Sequence, residues 1–162
     1  MSSSLSGLPY RPCIGIMLIN PDWHVFVGQR IDQEVEAWQM PQGGVDDGED
    51  ADAAVFREME EEIGTARAEI LGRAPEPIAY DLPEHLVGRV WKGRYRGQSQ
   101  TWYALRFLGT DADIRIDTAH PEFNAWRWAP LSDLVELAVP FKRDTYRKVV
   151  EVFAPLFPEQ HR

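Results

Sequence analysis

The sequence predicts an α/β fold, a mixed central sheet with helices covering both faces. Three observations predict it. Short apolar runs of strand length recur along the chain. A glycine-rich loop followed by an amphipathic acidic helix interrupts them. A second amphipathic helix closes the chain, and strands mixed with helices in this way build layers.

The elements follow in order. Residues 1–9 read as a short flexible lead-in ending at Pro9. Cys13-Ile14-Gly15-Ile16-Met17-Leu18-Ile19 reads as a buried strand, Asn20-Pro21-Asp22 as a turn, and His24 to Gly28 as the partner strand. The loop Pro41-Gln42-Gly43-Gly44-Val45-Asp46-Asp47-Gly48 precedes a helix capped by Asp50, with Asp52 in its favourable first turn. The helical pattern runs to Ile63 and stops at Gly64. Pro77 to Tyr80, Gln100 to Leu108 and Asn124 to Trp128 read as strands, and a short helix starts near Leu131. The last helix spans about Lys142 to Phe153, with Tyr146, Val149, Val150 and Phe153 on one stripe. Residues 10–157 are expected to form one domain, and 158–162 a tail.

Of the 162 residues, 44% are hydrophobic, enough for one sizeable core. No apolar run approaches the ~20 residues that span a bilayer. Met1-Ser2-Ser3-Ser4-Leu5 lacks the basic start and apolar centre of a secretory signal. The lone Cys13 cannot form an internal disulfide and reads as a buried small hydrophobe, so the cytoplasm is the expected compartment. A net charge of −9 argues against non-specific binding along a nucleic acid backbone but not against contact with one phosphate-rich end.

The acidic helix carries the strongest chemical signal. At ~100° per residue, Glu58, Glu61 and Glu62 fall within one arc, and Glu60 points away. Phe56, Met59 and Ile63 lie on another face, suited to anchoring on the sheet. Ala51 and Ala54 share the acidic face and are expected to leave open space before the carboxylates. A solvated charged face is one reading. Against it, the carboxylates crowd the negative end of the helix dipole, at ~0.3–1 kcal/mol per exposed charge. Glu58 and Glu62 also repel at i, i+4. A cation between them removes the penalty, and hard oxygen ligands select Mg²⁺, Mn²⁺ or Ca²⁺. The helix alone leaves both readings open.

The preceding loop adds Gly43 and Gly44, which permit close approach to the main chain. Gly43, five residues, Glu49, seven residues, then Arg57-Glu58-Met59-Glu60-Glu61-Glu62-Ile63-Gly64 resembles the Nudix box. Every charged and glycine position matches. Thr65 stands where the family prefers an aliphatic packing residue. The resemblance implies an α/β/α sandwich in which residues 43–64 form loop-helix-loop. It implies divalent ions, Mg²⁺ first and Mn²⁺ second, held by Glu58, Glu61 and Glu62 with a backbone carbonyl near Gly43. Glu61, Glu62, Glu122 and Arg57 are the implied catalytic residues, and Arg57 and Glu49 would orient the loop and the carboxylates. The activity implied is hydrolysis of a phosphoanhydride by water, with no nucleophilic side chain.

The resemblance extends from about Tyr10 to Phe153 and narrows to the bacterial RNA pyrophosphohydrolase and dinucleoside polyphosphate hydrolase group. Tyr10-Arg11-Pro12, Trp38-Gln39-Met40-Pro41-Gln42-Gly43-Gly44, Gly97-Gln98 with Gln100 and Trp102, Pro121-Glu122-Phe123, and Phe141-Lys142-Arg143-Asp144 carry it. The implied substrate is an RNA 5′ end or a nucleotide polyphosphate. Arg11, Arg30 and Lys142 are candidate phosphate contacts, with Arg143 beside them, although any single arginine is more often an idle surface charge. Phe141 would stack on a base, Tyr80 is a lesser substrate contact, and Gln42, Gln98 and Gln100 could hydrogen-bond the substrate. Glu122 is implied as a metal ligand or general base.

Arg89, Lys92, Arg94 and Arg96, interleaved with Trp91 and Tyr95, read equally as an RNA-guiding loop or a solvated connection. His24, His85, His120 and His161 show no ligand spacing. Other classes fit less well. A non-catalytic nucleotide-binding module would be expected to have lost a box glutamate, and a calcium-binding EF-hand needs an alternating acidic loop this chain lacks. The sequence points to no particular protein partner.

Overall fold

The computed structural model describes residues 7–31, 36–119 and 121–162. Residues 1–6 of the expected lead-in and His120 lie outside that range. The central strand β1 (Tyr10–Ile19) runs parallel to β7 (Gly97–Phe107), in register from Tyr10 opposite Gly97 to Ile19 opposite Arg106. Every other pairing is antiparallel, so the sheet is mixed.

From Cys13 to Ile19, β1 is apolar because both its faces are covered. Ile14, Ile16 and Leu18 meet Val55, Met59 and Ile63 of helix α1 (Ala51–Ile63). Met17 and Ile19 meet Tyr146, Val149 and Phe153, on helix α3 (Arg143–Phe153), which the short α2 (Leu134–Leu137) precedes. This is the expected sandwich. Side chains such as Ile16, with no exposed surface, each contribute about 1.5–3 kcal/mol by burial. Gly15 is required where it stands, because a Cβ there would lie 2.5 Å from the Trp102 ring.

Two features bring the glycine loop to the sheet. β2 (His24–Arg30) meets β1 at Ile19 and Val25 and otherwise pairs with β8 (Phe123–Pro130) and with the short β3 (Trp38–Gln39). The opening beside the first half of β1 is filled by β4 (Gln42–Gly44), with Gly43 opposite Ile14. The Tyr146 hydroxyl accepts from the Met40 amide at 2.8 Å and fixes the approach to β4. On the far side of β7 lie β5 (Ala68–Arg73) and β6 (Ile78–Asp81).

α1 begins and ends as its sequence predicts. The Asp50 side chain accepts from the Ala53 amide, and Gly64 adopts φ 76° and ψ 5°. Its acidic face differs from expectation in one respect. Ala54 is fully buried in the core under the helix, and Ala51 packs at its margin, so neither opens space before the carboxylates. The 158–162 segment forms a 3₁₀ turn at Glu159–His161, with Arg162 donating to the Phe157 carbonyl at 3.0 Å.

Candidate active site

The C-terminal half of α1, the β4 loop, the ends of β1, β2 and β6, and the start of the last helical segment enclose one cavity of about 590 Å³. Glu58, Glu61, Glu62 and Glu122 line its acidic side with Gly43 and Gly44. Arg11, Arg30 and Lys142 line it too, with Gln42, Tyr80, Gln98 and Phe141. Residues distant in sequence thus share one wall-to-wall site.

The carboxylates are held by local geometry. Glu49 accepts from Arg57 Nε at 2.7 Å and from its second terminal nitrogen at 2.8 Å. That second nitrogen also reaches the Gly44 carbonyl at 2.9 Å. The first terminal nitrogen donates to Glu58 at 2.9 Å and to Glu61 at 3.2 Å. Arg57 itself is not part of the cavity lining, so it positions the carboxylates and the loop from behind. A Cβ on Gly43 would fall inside the Glu58 carboxylate, which is the physical reason for glycine there.

Glu62 is the most deeply buried of the four cavity carboxylates. It is 5% exposed, and its Oε2 has no hydrogen-bond partner. Burial, then the charges of Glu58 and Glu122, pushes its carboxyl well above the usual range, opposed by Arg30. Glu58 is raised mainly by burial and held down by Arg57. Arg30 lies 3.4 Å from Glu122. A β-bulge falls between Gln29 and Arg30 as β2 leaves its pairing with β8, next to this contact, and bulges re-aim side chains in this way.

Among the described residues, no three acidic, histidine or cysteine side chains stand close enough together to hold a metal ion as they are placed. The donor set nevertheless fits a hard divalent ion. It offers carboxylate oxygens only, a buried orphan oxygen on Glu62, and a glycine edge that lets the main chain approach. A bound cation would offset the repulsion among these groups.

The basic and aromatic side is equally specific. Lys142 is 5% exposed, donates to Gln39 Oε1 at 3.2 Å, and has its ammonium 5.9 Å from both the Tyr80 and Phe141 rings. Those two rings tilt at 44° with centroids 5.9 Å apart. Gln100 lies below the cavity, not on it. It donates to Gln42 at 3.0 Å and to Gln98 at 2.6 Å, and accepts from the Trp102 indole at 2.9 Å. Its place is to hold Gln42 and Gln98.

Other expected contacts lie elsewhere. Arg143 donates to the Ala138 and Glu136 carbonyls at 3.1 Å and does not line the cavity. Arg96 pairs with Asp81 at 3.0 Å and covers the Tyr10 ring. Arg89, Lys92 and Arg94 are likewise absent from the lining, so the basic cluster does not enter the site. Glu49 and Gly64 support the helix from its two ends. His24, His85 and His161 also lie outside the cavity lining.

Sequence reasoning missed the apolar wall of Leu82, Leu86 and Val90, and it left Trp91 undecided. The first three recur at intervals of four, a signal that was there to read. Their fold is a run of 3₁₀ turns at Glu84–Leu86 and Trp91–Gly93.

A NUDIX domain model matches residues 9–150. The RNA pyrophosphohydrolase of Sphingopyxis alaskensis is 56% identical over 151 residues, covering 92% of this chain and 96% of its own. That of Rhodospirillum rubrum is 58% identical over 151 residues, covering 93% and 91%. Among solved structures, the E. coli dihydroneopterin triphosphate pyrophosphohydrolase superposes with a TM-score of 0.65 at 20% identity, covering 88% of this chain and 98% of its own. A C. elegans Ap4A hydrolase complex superposes at 0.60 and 20% identity, covering 90% and 99%. The two structures share the fold.

Proposed function

The chain belongs to the Nudix family, and from that premise we propose that it is a metal-dependent pyrophosphohydrolase that trims RNA 5′ ends. It would convert a triphosphorylated or diphosphorylated end to a monophosphate, releasing pyrophosphate or phosphate. The observation that carries this is the shared cavity, in which an acidic wall faces Arg11, Arg30 and Lys142 beside the Tyr80–Phe141 ring pair.

Each side chain has a chemical task. Arg11, Arg30 and the buried Lys142 bind and orient the phosphate chain. Phe141, braced by Tyr80, stacks on a base, and Gln42 and Gln98 hydrogen-bond the nucleotide. Glu58, Glu61, Glu62 and Glu122, with the Gly43 carbonyl, would hold the divalent ions. When bound, such ions would supply charge neutralisation for the phosphates and polarise the attacking water. A carboxylate among Glu61, Glu62 and Glu122 accepts the water proton. Arg57 keeps Glu58 and Glu61 in place.

Mg²⁺ is the proposed physiological ion, with Mn²⁺ as a substitute. The catalytic unit is taken as residues 10–157, working in the cytoplasm. The second reading is asymmetric hydrolysis of diadenosine polyphosphates, since the Tyr80–Phe141 pair would hold an adenine equally well.

Purified protein with Mg²⁺ should be offered triphosphorylated RNA and diadenosine tetraphosphate side by side. Preferred release of pyrophosphate from RNA supports the first reading, and preferred cleavage of the dinucleotide supports the second. Inertness toward both, with Mg²⁺ or Mn²⁺ supplied, overturns the enzymatic reading.

A further inference from the structure

Arg11 lines the acidic cavity, yet among the described residues it makes no ion pair. Its direct contacts are the Cys13 sulfur at 3.6 Å and the Trp91 ring, whose centroid lies 5.5 Å from the guanidinium carbon, and its charge also reaches the Glu58 carboxyl. It sits so close to β4 that a Cβ on Gly44 would be 2.5 Å from its terminal nitrogen. A guanidinium held against an aromatic face keeps its donors and charge available for an anion.

Trp91 reaches that place at a conformational cost. It has φ 51°, and Lys92 after it has φ 58°, a left-handed pair in which neither residue is glycine. A bulky residue there is an outlier, and such strain persists where the surroundings impose it. The surroundings here are identifiable. The base of the loop is tied to the sheet by Leu82 N to Arg96 O at 2.8 Å and Arg96 N to Pro9 O at 3.0 Å. Tyr95 meets the Trp91 ring edge-on at 6.2 Å.

We propose that Trp91 is a positioning residue that aims the Arg11 guanidinium at the substrate's phosphate chain, which makes the 82–96 loop a working part of the site. This rests on the phosphoanhydride reading above. In this role Trp91 acts through Arg11, so its contribution disappears when Arg11 is gone. A tryptophan that stacked directly on a base, or served only to fold its loop, would contribute independently.

A double-mutant cycle decides between these. Wild type, R11A, W91A and R11A/W91A are titrated calorimetrically with inorganic triphosphate in the presence of Mg²⁺. KM and kcat are then measured on triphosphorylated RNA. W91A should weaken triphosphate binding about threefold to tenfold and raise KM by a similar factor, the size of a lost cation–π contact with some reorientation. Its effect on kcat should be smaller. W91F should recover most of the loss. R11A/W91A should bind no more weakly than R11A. Multiplication of the two single effects, or triphosphate binding by W91A equal to wild type, overturns the proposal. A wild type that binds triphosphate but hydrolyses neither RNA nor dinucleotide sinks the enzymatic reading instead, and the binding cycle still tests the coupling of Trp91 to Arg11.

Discussion

Arg57 and Glu49 make a two-pronged contact, 2.7 Å from Nε and 2.8 Å from a terminal nitrogen, across the junction between the glycine loop and α1. Glu49 also accepts from the Asp46 amide at 3.0 Å, so the loop is folded onto the helix that bears the acidic residues.

That contact predicts an acid-sensitive element of stability. The Arg57 guanidinium, and then the Asp46 amide, hold the Glu49 carboxyl down to about 2 from an ordinary 4.5. A depressed folded value stabilises the protein above the unfolded one. The contribution is therefore complete above about pH 4.5. It fades as the pH falls toward about 2. Thermal melts across this window should show Glu49→Gln losing less stability on acidification than wild type. Equal slopes would refute the assignment.

Glu62 predicts a trade between stability and activity. Its Oε2 is buried without a partner among like charges. Glu62→Gln replaces a carboxyl whose charged form is disfavoured by burial with a neutral amide of the same shape. Without divalent ions, the variant should melt a few degrees higher, the equivalent of about 1 kcal/mol. Its turnover should fall by about 10²–10⁴-fold. A variant of unchanged melting temperature and full activity would remove Glu62 from the site.

Gly43 and Gly44 should differ when each is changed to alanine. The Gly43 methyl collides with the Glu58 carboxylate, so this proposed metal ligand must move, and a displacement near 1 Å costs about 10²-fold in rate. The Gly44 methyl meets only the flexible end of Arg11, which can swing aside. Its loss should appear mainly in KM. Steady-state kinetics on both variants, with circular dichroism to confirm folding, provide the check.

Cys13 should be chemically quiet. It is 2% exposed, and burial pushes its thiol up to about 11. At pH 8 only about one thiol in a thousand is then ionised, and the thiolate is the reactive form. A disulfide reagent should label the native protein far more slowly than the denatured protein. Rapid labelling of both would contradict the buried position.

Much of the site was legible along the chain because its acidic part is local. Glu58, Glu61 and Glu62 share a helix face by periodicity alone, and Asp50 and Gly64 mark its ends for reasons of backbone geometry. β5 was not legible. Its apolar residues fail to alternate, because the pairing shifts between Ile70 and Gly72 at a bulge. Ala54 was misread for a related cause: angular position on a helix does not say how far the sheet wraps around it.

The sequence by itself determined the layered fold, the limits of α1 and the grouping of its carboxylates, since each depends on neighbours within a few residues. Only the tertiary structure decided that Arg57 works from behind the cavity, that Gln100 lies beneath its floor, and that Trp91 covers Arg11. Those outcomes depend on where β1, β4 and β7 pair and how the 82–96 loop folds back on them. Contacts between residues dozens of positions apart leave no periodic trace in a single chain.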